Sequence, residues 1–158
     1  MNIVLYEPEI PGNTGNIGRS CVATGSTLHL IGPLGFKIED KEIKRSGLDY
    51  WPKLKFIRHR DWAAFKAGLP PKPSLIFFTT RSQRSFWEAP YQADCYLVFG
   101  KESSGLPEAI LAEHAADLYR IPIGPGVRSL NLSSAAAVAL YEGIRQTLPG
   151  SSPAVTNP

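Results

Sequence analysis

Residues 97–107, Leu-Val-Phe-Gly-Lys-Glu-Ser-Ser-Gly-Leu-Pro, and residues 121–133, Ile-Pro-Ile-Gly-Pro-Gly-Val-Arg-Ser-Leu-Asn-Leu-Ser, are two copies of one device. In each, a short apolar strand pattern meets a glycine-rich turn with small or charged side chains, and a helix pattern follows. Glycine lacks a Cβ and tolerates φ > 0, so such turns let a ligand lie against bare main chain. Two of them about 20 residues apart can wall one pocket.

Around these turns the chain alternates between strands and helices. Strands are expected over residues 3–6, 28–31, 75–79, 96–99 and 118–121, with a weaker one at Phe56 and Ile57. Helices are expected over residues 17–24, stopped by Gly25, over 40–46 behind Asp40, over 61–66 behind the N-cap Asp61, from Pro107 in a first turn to about His114, and over 132–148. Continuous apolar strands separated by helices imply an α/β fold with a parallel sheet covered on both faces. In such sheets ligands sit beyond the carboxyl ends of the strands, which is where the segments after Phe78, Phe99 and Ile121 fall. With 158 residues and 43% hydrophobic content, one domain over residues 1–148 is expected, followed by a disordered polar tail over 149–158.

Charge is uneven. Residues 37–84 carry 12 of the 17 Lys and Arg against 5 acidic residues, on a chain whose net charge is only +3. A basic middle on a near-neutral protein suits a polyanion, although a solvated face has the same composition. There is no apolar run of membrane-spanning length and no leader pattern, so no membrane partner is expected. Cys21 and Cys95 stand outside any paired motif and read as small core residues of a cytoplasmic protein. His29, His59 and His114 have no ligand spacing, and no metal is expected. Phosphate-loop and dinucleotide glycine signatures are absent, and no nucleophile–base arrangement can be read from spacing. The chemistry suggested is binding and orienting.

After the first strand comes Glu7-Pro-Glu-Ile-Pro-Gly-Asn-Thr-Gly-Asn-Ile-Gly-Arg19. Asn16 and Arg19, three apart, share one side of a helix. Asn13 or Asn16 can be a cap and Arg19 a surface arginine; alternatively the planar guanidinium can grip a phosphate. The last helix, rich in alanine from Ser133 to Leu140, either packs on the sheet alone or also meets a second subunit.

Taken together, Asn13-x5-Arg19, Phe99-Gly-x-Glu-x-x-Gly-Leu-Pro107 and Ile121-Pro-x6-Ser129-Leu-Asn-Leu-Ser133 resemble the three motifs of the SPOUT RNA methyltransferases. The opening residues 2–16 and Gly47-Leu-Asp-Tyr50 are similar to the small single-domain branch that methylates the wobble-position ribose of tRNA. The resemblance runs in order from about residue 2 to residue 148. It implies a SPOUT α/β fold with a deep C-terminal trefoil knot, a homodimer, S-adenosylmethionine as methyl donor, and a tRNA anticodon arm as partner. It further implies donor contacts from Phe78, Thr79, Gly100, Gly105, Ile121, Ser129 and Leu130, and a catalytic cluster of Asn13, Arg19, Glu102, Ser129 and Asn131. The implied reaction is 2′-O-methylation of nucleotide 34, cytidine or modified uridine, of leucine tRNAs. A relative acting on another tRNA position or on rRNA would carry the same motifs, and so would an RNA-binding protein that had lost catalysis. With no separate RNA-binding domain, the basic stretch is expected to hold the anticodon arm, while Trp51, Trp62 and Trp87 can serve either core packing or base stacking.

Overall fold

A computed structural model of the chain describes residues 1–37 and 50–148. The helix expected behind Asp40, most of the Gly47–Tyr50 motif and the polar tail lie outside the described residues.

Six parallel strands form one sheet: β1 (Asn2–Tyr6), β2 (Thr27–Ile31), β3 (Phe56–His59), β4 (Leu75–Phe78), β5 (Tyr96–Phe99) and β6 (Leu118–Tyr119), in the order β3-β2-β1-β5-β4-β6. Val4 of β1 lies opposite His29 on one side and Val98 on the other, so the first strand is central. Among the described residues, four α-helices connect the strands or follow them: α1 (Pro11–Thr24), α2 (Trp62–Ala67), α3 (Glu108–Glu113) and α4 (Leu132–Thr147).

The apolar strand runs have two destinations, because successive side chains point to opposite faces. Ile3, Leu5, Leu28, Leu30, Ile76, Leu97 and Phe99 face one layer with Ile17 and Cys21 of α1 and Ala136, Ala139 and Leu140 of α4. Val4, Ile31, Phe77 and Val98 face the other, with Phe65 of α2 and Ile110 and Leu111 of α3. Cys21 and Cys95 are free and buried in the first layer.

Boundaries differ from the sequence expectation in several places, most of them by one residue. α1 starts at Pro11, six residues before the expected start. Gly12, Gly15 and Gly18 each weaken helix propensity by up to ~1 kcal/mol, which hides the first turns. Tertiary contacts override that weakness, since Asn13, Thr14, Gly15 and Gly18 are all buried. Pro107 caps α3 from just outside the helix. β6 ends at Tyr119, two residues early, because β4 stops at its partner Phe78 and the next residue, Arg120, bridges to Ser85. Gly25 ends α1 in the left-handed conformation, φ 67°, as expected.

Candidate functional site

The carboxyl ends of β4 and β5 and the chain beyond β6 open onto a cavity of about 620 Å³. Phe78 and Phe99, the last residues of β4 and β5, stack with ring centres 4.7 Å apart and planes 7° apart. They form an aromatic floor. One wall is the turn after β5, closed by paired main-chain bonds between Lys101 and Gly105. Gly105 has φ 72°, and a Cβ on Gly100 would collide with the main chain of Gly105 and Leu106. This turn therefore folds back on itself only with glycine at both positions.

The opposite wall is the segment over residues 121–131. This segment belongs to no strand or helix, and residues 124–130 are exposed. Main-chain polar groups are strong donors and acceptors. Those of Ile121, Ile123, Arg128, Ser129 and Leu130, residues that line the cavity, lie outside the helix and strand ladders and are open to what enters.

A polar chain crosses the rim. Glu102 accepts from the main-chain N–H of Glu9 (2.8 Å) and of Ile10 (3.2 Å), and from Asn13 Nδ2 (3.0 Å). Asn13 Oδ1 accepts from Asn131 Nδ2 at 3.0 Å, and Asn131 Oδ1 accepts from Ser133 N, Ser133 Oγ and Ser134 N. Asn131 is thus the N-cap of α4, while Glu102, from a remote turn, caps the start of α1, whose own N-cap Ile10 has no side chain for the task. Next to this chain, Lys101 pairs with Glu7 at 2.5 Å, which holds the ammonium's pKa up. Ser103 donates to the Glu9 carboxylate from Oγ and from its main-chain N–H, holding that carboxyl below its ordinary range.

Of the residues singled out from sequence, Phe78, Thr79, Gly100, Gly105, Ile121, Ser129, Leu130, Asn13, Glu102 and Asn131 all line this cavity. Arg19 does not. It lies on the exposed side of α1, its Cζ 5.0 Å from the centre of the Tyr50 ring. Sequence reasoning missed Arg81 and Arg128, which bring positive charge to the lining, and Ile10, 47% exposed there. Arg81 pairs with Glu108 of α3; Arg128 shows itself in sequence only as the one charged side chain between Ile121 and Ser133. The site combines a flat apolar floor, main-chain walls and cations near the mouth. That suits a ligand with an aromatic ring and polar edges, approached by an anionic second reactant.

Residues 1–141 match the family model described as the SpoU rRNA Methylase family. The tRNA (cytidine(34)-2'-O)-methyltransferase of Escherichia coli (strain K12) is 48% identical over 147 residues, covering 92% of this chain and 93% of its own length. The protein of the same name from Burkholderia pseudomallei (strain 1106a) is 46% identical, covering 92% of this chain and 94% of its own. A solved structure described as giving structural insights into the 2-OH methylation of C/U34 on tRNA superposes with a TM-score of 0.88 at 46% identity, covering 92% of this chain and 94% of that one. The SpoU methyltransferase AviRb from Streptomyces viridochromogenes, solved in complex with the cofactor AdoMet, is 26% identical with a TM-score of 0.77, covering 92% of this chain and 57% of that one. From three ordered motifs, a parallel sheet with the cavity they line, and these likenesses along nearly the whole sequence, it follows that the chain belongs to the SpoU rRNA methylase family of methyltransferases.

Proposed function

We propose that this protein transfers the methyl group of S-adenosylmethionine to the ribose 2′-hydroxyl of the wobble nucleotide, position 34, of leucine tRNAs, a cytidine or modified uridine. The observation that carries the reading is one cavity lined both by the glycine turn after β5 and by Ile121, Ile123, Ser129 and Leu130 of a segment outside any strand or helix. The relatives' names support the tRNA position.

The cavity's donor set fits the methyl donor. Main chain at Gly100, Ile121, Ser129 and Leu130 offers donors and acceptors for an adenine edge and ribose, and Phe78 and Phe99 form part of the apolar lining beneath it. The missing Cβ at Gly100 keeps the turn in the shape that makes this wall. When bound, S-adenosylmethionine supplies a methyl group already activated by a sulfonium charge. The protein's task is then alignment, which can lower a barrier by ~7–11 kcal/mol. Arg19, which lies outside its own protomer's cavity on the exposed side of α1, binds the RNA phosphate or ribose and polarises the attacking hydroxyl from that face, within a homodimer. A guanidinium carries only N–H donors and no acceptor, so Arg19 acts as a donor rather than as the base. Asn131 and Ser129 orient the loop and the nucleophile, and Glu102 braces the turn through its bonds to residues 9, 10 and 13.

The protein acts in the cytoplasm as a homodimer. Val138 and Tyr141 on α4, and Leu148 just past its end, leave 42%, 54% and 52% of their surfaces exposed, and α1 lies beside that helix with Asn16, Arg19 and Ala23 exposed. The knot of the family also belongs to this reading. Arg120 is bonded on both sides to residues 84 and 86, and Gln146 and Gly143 of α4 lie against Trp87 and Tyr91. Such contacts fit a chain that passes beneath residues 79–95 on its way from β6 to α4. The anticodon arm rests on the basic stretch, of which Lys53, Lys55, Arg58 and Arg60 are exposed along the edge strand β3 and on either side of it.

Three measurements test the proposal: calorimetric titration with S-adenosylmethionine, turnover on tRNA, and mapping of the methylated nucleotide. Arg19→Ala is expected to cut turnover by about 100-fold or more while leaving donor affinity within about twofold. Unchanged turnover refutes the role of Arg19, and a methyl group at any nucleotide but 34 refutes the assigned position.

A further inference from the structure

We infer that Tyr50 is a positioning residue for Arg19, holding the guanidinium on the outer side of α1 in the place from which it meets RNA. This rests on the role proposed above for Arg19 and names what makes that role possible.

Arg19 is exposed and enters no ion pair among the described residues. A long side chain with no carboxylate among those residues to hold it samples many rotamers, and binding has to select one of them. Tyr50 is the group that restricts it. The Arg19 Cζ sits 5.0 Å from the ring centre, within the range of a cation–π contact. The ring is itself fixed, since Tyr50 is only 8% exposed. Its hydroxyl donates to the Gly15 carbonyl at 2.5 Å. By helix geometry that carbonyl is the one facing the N–H of Arg19, four residues on. One tyrosine therefore grips the helix at the turn that carries Arg19 and also underlies its charged end.

The sequence around Tyr50 is built for this approach. A Cβ on Gly18, the residue before Arg19, would lie 3.0 Å from Leu54 Cδ2, 3.4 Å from Trp51 Cζ3 and 3.7 Å from Tyr50 Cε2. The segment over residues 50–54 is seated against α1 where that helix has no side chain. Burial pushes the Tyr50 phenol up, while the Arg19 charge and a hydrogen bond from Arg19 pull it the other way, the net direction being upward. The hydroxyl thus stays protonated and remains a donor to Gly15.

The test uses the full chain with Tyr50→Phe, Tyr50→Leu, Arg19→Ala and the doubles Y50L/R19A and Y50F/R19A. It reads turnover at saturating S-adenosylmethionine and tRNA, KM for tRNA, donor affinity by calorimetry, and the melting temperature. Tyr50→Phe keeps the ring but loses the hydroxyl, and about a three- to tenfold drop in turnover is expected. Tyr50→Leu loses the platform as well and should fall about 30- to 100-fold, with donor affinity within about twofold. Each double variant should be no slower than Arg19→Ala alone. Losses that multiply in the doubles overturn the inference, because Tyr50 then acts by a route independent of Arg19; so does full turnover in Tyr50→Phe and Tyr50→Leu. If Tyr50→Leu does not fold, Tyr50→Phe and its double decide the matter. Normal turnover in Arg19→Ala overturns both readings, whereas a slow Arg19→Ala beside a fast Tyr50→Leu overturns this one alone.

Discussion

Asn13 and Glu102 lie 89 residues apart in sequence and are joined by a 3.0 Å hydrogen bond from Nδ2 to Oε1. The same carboxylate takes up the main-chain N–H groups of Glu9 and Ile10, so one acid satisfies three donors at the start of α1. Glu102→Gln keeps the shape but turns one oxygen into a donor that faces other donors. A loss of about 1–3 kcal/mol in unfolding free energy is expected, measured by urea denaturation, together with weaker S-adenosylmethionine binding. Wild-type stability in Glu102→Gln would show that the charge is not what holds α1 in place.

Gly100→Ala adds one methyl group to the cavity wall, where it meets the main chain of Gly105 and Leu106. Neither neighbour is a side chain that can swing away, so the turn must shift. The expected outcome is at least a tenfold loss of donor affinity by calorimetry, with the secondary structure kept in the far-ultraviolet circular dichroism spectrum.

Stability should fall in mild acid because of a buried histidine. His29 in β2 has its Nδ1 3.0 Å from Nε2 of His59, and the two rings stack at 5.2 Å. Burial first, and the nearby His59 second, push the His29 pKa down from 6.5 to about 4. Between these values the unfolded chain binds a proton that the folded one refuses, so stability is full above pH 6.5 and is lost as pH falls toward 4. Urea midpoints measured at pH 7, 5.5 and 4.5 should decline in that order, and the decline should be shallower in His29→Gln.

Charge reversal on the β3 edge should weaken RNA binding without touching the donor site. Lys55 and Arg58 are exposed and unpaired among the described residues, whereas Arg60 is paired with Asp61 at 2.8 Å. Lys55→Glu and Arg58→Glu should each lower tRNA affinity and reduce the slope of log affinity against log salt by about one. Filter binding at several salt concentrations reads both quantities. An unchanged slope in both variants would place the anticodon arm elsewhere.

Much of this was legible in the chain. The apolar runs at β1, β4 and β5 have no polar alternation, which identifies strands covered on both faces, and residues of both glycine-rich segments do line one cavity. Other features were hidden for physical reasons. The first turns of α1 carry glycines that weaken any local helix signal, and their cap, Glu102, comes from another part of the chain. His29 and His59 are 30 residues apart and meet only because β2 and β3 pair in register. Tyr50 stood in a recognisable motif, but its ring beneath Arg19 depends on how residues 50–54 seat on Gly18, which no local pattern encodes.

Exposed amides outside helices and strands trade their hydrogens with solvent quickly, so in heavy water residues 124–130 should take up deuterium within the earliest labelling times while the central strand β1 stays unlabelled. Occupancy of the cavity thus becomes readable as an isotopic footprint on a single peptide, with no need for catalysis or a labelled nucleotide.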